Sequence, residues 1–335
     1  MRFGILTAVI LLSLGSCNGP DDGDSHSLII ATATPGGTYY PVGVAIGTIT
    51  TNKLTPRITA AAINSAGSGE NIQMLANNEV HVAILQGLFG AMAFEGKGSY
   101  TTSPFKDFRS ITMLWENVEH FVLLKKYAPT GNISDLKGLG KKFSIGSKGS
   151  GTEGSTRTIF SALGIDIERD FTPEYLGYTP SAQAMMDTRI AGAALSAGPP
   201  VAAVTQVYAQ LGIDEVTTLS ITASQLKTIR SEYPIWSAYE IPSGTYPGQV
   251  QPIQTIAQPN FLACRADLPE DVVYLLTKTI FENLSEIQNI HKATLAMALG
   301  KAISGLSVPL HSGAARYYSE QGINIPPSLL MGTSE

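Results

Sequence analysis

Cysteine is nearly absent from this chain, with two in 335 residues, at positions 17 and 264. Charge is scarce as well: Asp, Glu, Lys and Arg make up 15% of the residues, and the net charge is −5. No cluster of Lys or Arg relieves that balance, which argues against a nucleic-acid partner. The five histidines (26, 81, 120, 291 and 311) are scattered. With no His-Glu-x-x-His pair and no set of cysteine ligands, metal catalysis has no support, and no cofactor is expected. A Gly-x-Ser-x-Gly elbow is missing, which weakens a serine hydrolase. Nucleotide signatures fail too. Gly151 is followed by Thr152 with the lysine back at 148, so the Walker spacing is broken, and Pro35-Gly36-Gly37-Thr38 lacks the three spaced glycines of a dinucleotide turn.

What the chain does have is apolar residue, 44% of it, in short runs separated by Gly and Pro. That pattern suits the buried strands of an α/β protein, and the length is enough for two domains. The centre of the organisation is residues 31–41. Leu28 to Ala31 forms a buried strand, a helix runs from about Tyr39 to Thr51, and Pro35, Gly36, Gly37 and Thr38 lie between. Small residues with free amides at the start of a helix can collect an anion, because unpaired N–H groups and the positive end of the helix dipole point at one spot; a tight strand-to-helix turn with no ligand is the other reading of the same residues.

The first 16 residues form an export signal: Arg2 is the positive start, and Ile5 to Leu14 is an apolar run too short to cross a membrane. Leu14-Gly15-Ser16-Cys17 resembles a bacterial lipobox, which makes Cys17 the lipidated first residue of the mature protein. Residues 17–27, with Asp21, Asp22 and Asp24, then form a flexible tether. Cys264 is left without a disulfide partner and fits a buried small hydrophobe.

The opening pattern repeats. Arg57 to Ile63 is a second strand, followed by a loop whose Ser68 is placed to cap a helix reaching Asn77. His81 to Gln86 is a third strand, its histidine structural. Loops at the carboxyl ends of such strands share one crevice, so Thr34, Ser65, Ser68 and Gln86 are expected to face the same space. Phe105 to Leu114 and Glu119 to Lys125 are strand-like, with Glu119-His120 expected as a polar strand edge. After Phe143 to Gly146 comes a second small-residue loop, 147–152, and a helix to Leu163. A strand near Tyr175, a helix from Pro180 to Ile190, a strand from Ala193 to Ala197 and a helix opened by Gly198-Pro199-Pro200 follow. Asp187 and Arg189 belong to a solvated face. A strand from Glu215 to Ile221 and a helix from Ser224 to Glu232 complete the second unit. Asn260 to Arg265 is a strand, with helices from Leu268 to Leu284 and Ile287 to Ile303 after it. Two α/β units joined at two crossings predict two lobes around a cleft, with residues 28–125 and 251–322 in the first lobe, 126–250 in the second and 323–335 as a tail. A cleft of that kind suits a small ligand.

In order, the motifs resemble those of the TAXI-type solute receptors of TRAP (tripartite, ATP-independent periplasmic) transporters. The carrying residues are Gly36-Gly37-Thr38-Tyr39-Tyr40-Pro41, Ser65 to Ser68 with Glu70-Asn71, and Gln86. Ile133 to Gly138, Gly149 to Thr152, Tyr246 to Gly248, Leu268 to Val273 and His311 to Tyr318 continue the match from about residue 28 to 322. The resemblance implies a type II periplasmic-binding-protein fold closing on a small carboxylate, an organic or amino acid, and delivery to TRAP permease subunits in the membrane. It also places Gly37, Thr38, Tyr39, Ser65, Ser68 and Gln86 on the first lobe's wall, together with Gly36, and Ser150, Gly151 and Thr152 on the second, near Ser196, Gly198 and Pro199. Pro35 departs from the glycine-richer family turn and removes one amide donor.

Such a site binds by charge-assisted hydrogen bonds of about 1.5–3 kcal/mol each and dipoles of up to ~2 kcal/mol. Three or four contacts, less the costs of association, reach roughly micromolar affinity. Two other classes stay open at this point: a ligand-sensing lipoprotein for a signalling partner, and an exported hydrolase or transferase.

Overall fold

The computed structural model describes residues 25–330. The export signal, Cys17 and the acidic run at 21–24 lie outside the described residues. The described residues form two mixed sheets, each covered by helices. The first half-sheet is wound as foreseen: β1 (His26–Ala31), α1 (Tyr39–Leu54), β2 (Ile58–Ile63), α2 (Ser68–Ala76), β3 (Val82–Gln86) and α3 (Gly87–Glu95). β1 pairs in parallel with β2 and β3. β4 (Phe108–Val118) ends this run, and the chain crosses at Glu119 and His120 into β5 (Phe121–Leu124) of the second sheet.

There β6 (Lys142–Ser144), α4 (Gly151–Leu163), α5 (Ile167–Asp170), β7 (Thr172–Glu174), α6 (Tyr178–Met186) and β8 (Gly192–Ala194) repeat the winding. α7 (Ala202–Leu211), β9 (Val216–Thr218) and α8 (Ala223–Glu232) finish it. The strand order is β7-β6-β8-β5-β9. The chain then returns to the first sheet through β10 (Ser237–Ile241) and β11 (Ile253–Arg265), whose order is β10-β11-β3-β1-β2 with β4 also on β11. α9 (Glu270–Glu282), α10 (Leu284–Gln288) and α11 (Ser312–Glu320) pack behind it.

Each sheet is buried on both faces. Ile30, Ile46, Ile84, Trp115, Leu276 and Tyr318 share one core, and Phe121, Phe143, Phe160 and Trp236 another. Cys264 is buried, as expected. His81 is structural: its Nδ1 accepts from Ile29 N at 3.1 Å.

Several boundaries differ from the sequence reading. β5 pairs in the second sheet although it falls in the stretch assigned to the first lobe, and β10 belongs to the first sheet although it falls before residue 251. β11 is twice as long as expected, because Pro259 sits at an irregularity in its pairing with β4 and so does not end the strand. The helix expected over 287–303 is instead α10 followed by short 3₁₀ turns at Lys292–Ala296 and Leu299–Lys301. His291 is extended there, and its Nδ1 caps the first turn by accepting from Ala293 N. Pro199 and Pro200 precede α7, which starts at Ala202.

Candidate functional site

Five helices begin at one small cavity. α1, α2 and α3 leave the carboxyl ends of β1, β2 and β3, and α4 and α6 leave those of β6 and β7. The first residues or caps of all five line the cavity: Thr38 and Tyr39, Ser68, Gln86, Ser150 and Gly151, and Tyr178. First-turn amides such as those of Ser68, Gly69, Gly151 and Thr152 have no carbonyl of their own helix within reach. No lining residue carries a charge. The cavity is small.

The lobes touch around this cavity through small residues. A Cβ on Gly151 would lie 2.6 Å from the Gln86 carboxamide carbon, and one on Gly69 would lie 2.4 Å from Gly149 O. Only glycine allows α2 and α4 to meet this closely. Direct hydrogen bonds join the lobes too: Glu70 N to Gly149 O at 3.0 Å, Ala203 N to Gly36 O at 3.2 Å, and Thr38 Oγ1 to Gly198 O at 3.0 Å.

Of the residues expected at the site, Gly37, Thr38, Tyr39, Ser68, Gln86, Ser150, Gly151, Thr152 and Ser196 line the cavity. Thr34 lines it as well. Ser65 does not; its hydroxyl is turned inward, donating to Thr32 O at 3.0 Å and pairing with Asn71 Oδ1. Gly36 packs on Thr179 of α6, while Gly198 contributes through its carbonyl and Pro199 stands outside the lining. Ser68 caps nothing: it is the first residue of α2, and its Oγ accepts from Gln86 N at 3.0 Å. Ser150 does cap α4, accepting from Glu153 N at 3.0 Å.

Asn117 and Tyr178 were missed. Asn117 sits in Trp115-Glu116-Asn117, a polar break in the apolar run of β4, and that break was the available signal. Both of its amide atoms are buried without a partner, as is Gln86 Oε1. Tyr178 hydroxyl pairs with Thr152 Oγ1 at 2.7 Å and donates to Ser196 O, tying α4 to the strand end after β8. Burial raises the Tyr178 and Tyr39 phenols, so both stay neutral hydrogen-bonding groups.

Glu119 and His120 are not a polar strand edge. Both are fully buried at the crossing between the sheets, because Val118, Phe121 and Val122 around them belong to the cores. Glu119 accepts from Ser196 Oγ and, at 3.4 Å, from Ser155 Oγ. Burial pushes its carboxyl up to about 7, against the pull of those hydroxyls. It stands one hydrogen bond behind the cavity wall. Asp187 and Arg189 pair at 3.1 Å on the surface, as expected.

The sequence matches the NMT1-like family over residues 30–322. The chain belongs to that family. Solved structures resemble this NMT1-like protein along most of its length. One is MatC of Rhodopseudomonas palustris with bound malate: 16% identity, 88% of this chain and 94% of that one, TM-score 0.54. A Bordetella bronchiseptica RB50 protein shares 16% identity over 90% of each chain, TM-score 0.51. A structure described as a periplasmic transporter shares 13% identity over 88% and 92%, TM-score 0.50. At such identities the likeness shows the fold, and the fold of this NMT1-like chain is that of a two-lobed solute-binding protein. Among the described residues no helix is long and apolar enough to cross a membrane.

Proposed function

We propose that the protein is an exported solute receptor of the TAXI type. It captures a small carboxylate between its lobes and delivers it to a TRAP permease, held to the membrane through lipidated Cys17. One observation carries this reading: five helix N-termini from both sheets converge on a cavity with no basic side chain. Aligned dipoles and free amides stabilise an anion without Lys or Arg. An anion touching the starts of α2 and α4 together gains both sets of contacts only when the lobes are closed, so binding and closure are linked. The malate in MatC is a ligand of the same chemical kind. Hydroxyls and amides hold a solute without moving protons at neutral pH, so the reading contains no catalytic step.

The test is mass spectrometry of whatever co-purifies with the protein, followed by calorimetry with that compound and by uptake assays in a deletion strain. A bound carboxylate whose uptake is lost on deletion supports the receptor. Turnover of the bound compound, or binding without any loss of uptake, contradicts it.

A further inference from the structure

Two carboxamides, on strands that both pair with β11, line the cavity with polar atoms that have no protein partner. Asn117, on β4, is 1% exposed, and neither Oδ1 nor Nδ2 is paired. Gln86, at the end of β3, is 3% exposed, and its Oε1 is unpaired. Both residues line the cavity. Buried polar atoms without partners are costly, and native interiors seldom leave them so. Whichever way its amide is turned, Asn117 offers one donor and one acceptor.

A carboxylate alone does not match this wall. It has only acceptors to offer, which suit the amides at the starts of α2 and α4 and Asn117 Nδ2 but leave Asn117 Oδ1 and Gln86 Oε1 unpaired. The missing complement is a donor on the ligand. A hydroxyl supplies one proton, enough for Asn117 Oδ1 though not for Gln86 Oε1 as well, and it is an acceptor besides. An ammonium group is a poorer match, since no lining residue carries the negative charge that would compensate its desolvation. The cavity is small, which favours a small acid.

We propose that the solute is a small 2-hydroxy carboxylate and that Asn117 is the residue that recognises its hydroxyl. The proposal rests on the carboxylate reading above and specifies it further. A site built to hydrogen-bond a hydroxyl rejects the analogue that lacks one, because its own polar atoms are then left unpaired.

Calorimetry on the wild-type protein with matched acids tests this: glycolate against acetate, lactate against propionate, and glycine as the ammonium counterpart. The hydroxy acids should bind at least about tenfold tighter than their deoxy partners and than glycine. In Asn117→Ala the hydroxy-acid affinity should fall by about tenfold or more, and the hydroxy-to-deoxy ratio should collapse toward one. Equal wild-type affinity for glycolate and acetate overturns the proposal, as does glycine binding as tightly as glycolate. An unchanged ratio in the variant overturns the role of Asn117. The wild-type comparison stands even if the variant does not fold. Carboxylates bound without preference overturn this inference alone, whereas no binding of any carboxylate overturns the receptor's ligand class as well.

Discussion

Glu119 and His120 are adjacent in sequence, both fully buried, and shifted in opposite directions. The His120 ring is held neutral by burial, down to about 4, with Nδ1 at 2.9 Å from Val118 O and Nε2 at 2.7 Å from the Tyr246 hydroxyl. Glu119 is pushed up to about 7 on the other side of the same peptide. Their effects on stability against pH therefore oppose each other. Between 4.5 and about 7 folded Glu119 binds more protons than the unfolded chain, so its contribution is lost as pH rises through that window. Between 6.5 and about 4 folded His120 binds fewer, so its contribution is lost as pH falls.

Each variant should uncover the other's slope. Relative to wild type, Glu119→Gln should gain about 3 kcal/mol between pH 4.5 and 7. His120→Gln should lose a similar amount, relative to wild type, between pH 4 and 6.5. Urea unfolding at a series of pH values reads both differences. Parallel curves for variant and wild type would contradict the assignment.

Gly154 lies inside α4, where alanine ordinarily stabilises by about 1 kcal/mol. Here a Cβ would stand 2.2 Å from the ring of Phe89 in α3, across the cleft. Gly154→Ala should therefore leave the melting temperature unchanged or slightly raised while holding the lobes apart. Small-angle scattering should report a larger radius of gyration, and carboxylate affinity should fall about tenfold or more. Undiminished affinity would mean the lobes do not need this contact.

Thr38 combines two roles, lining the cavity and donating to Gly198 O of the opposite lobe. Thr38→Ala should destabilise the closed form by about 0.5–1.5 kcal/mol. That is up to about tenfold in ligand affinity, with little change in thermal stability if the open form dominates without ligand. Calorimetry beside a thermal melt separates the two effects.

Ser150 behaves differently. Its hydroxyl caps α4, so Ser150→Ala should cost about 0.5–2 kcal/mol of stability as well as weakening binding. Ser150→Asp should restore the cap but repel an anion at the same helix end. Recovered stability with lost carboxylate binding is the expected pattern, measured by melting and calorimetry on the same samples.

Much of this site was legible in the sequence because it is built from local turns. Gly37, Thr38, Ser68, Gln86 and Gly151 each mark a strand end or helix start, and parallel winding brings such ends together. The chain crossing was harder to read. Glu119 and His120 look like a solvated edge to any reading that counts polarity along a strand, yet two sheets close over them. Asn117 was overlooked for a related reason: its neighbours Trp115 and Val118 are core, and only pairing with β11 decides which face carries the amide. The strand expected over 260–265 is longer, since an irregularity in the pairing absorbs Pro259 within β11.

The most direct test is a crystal structure of the protein grown with the small carboxylate that binds it most tightly. The account requires the carboxylate oxygens to lie about 3 Å from backbone amides at the starts of both α2 and α4, among Ser68, Gly69, Gly151 and Thr152, with no Lys or Arg beside them. A carboxylate gripped by one lobe alone, or paired with a basic side chain elsewhere, would contradict it.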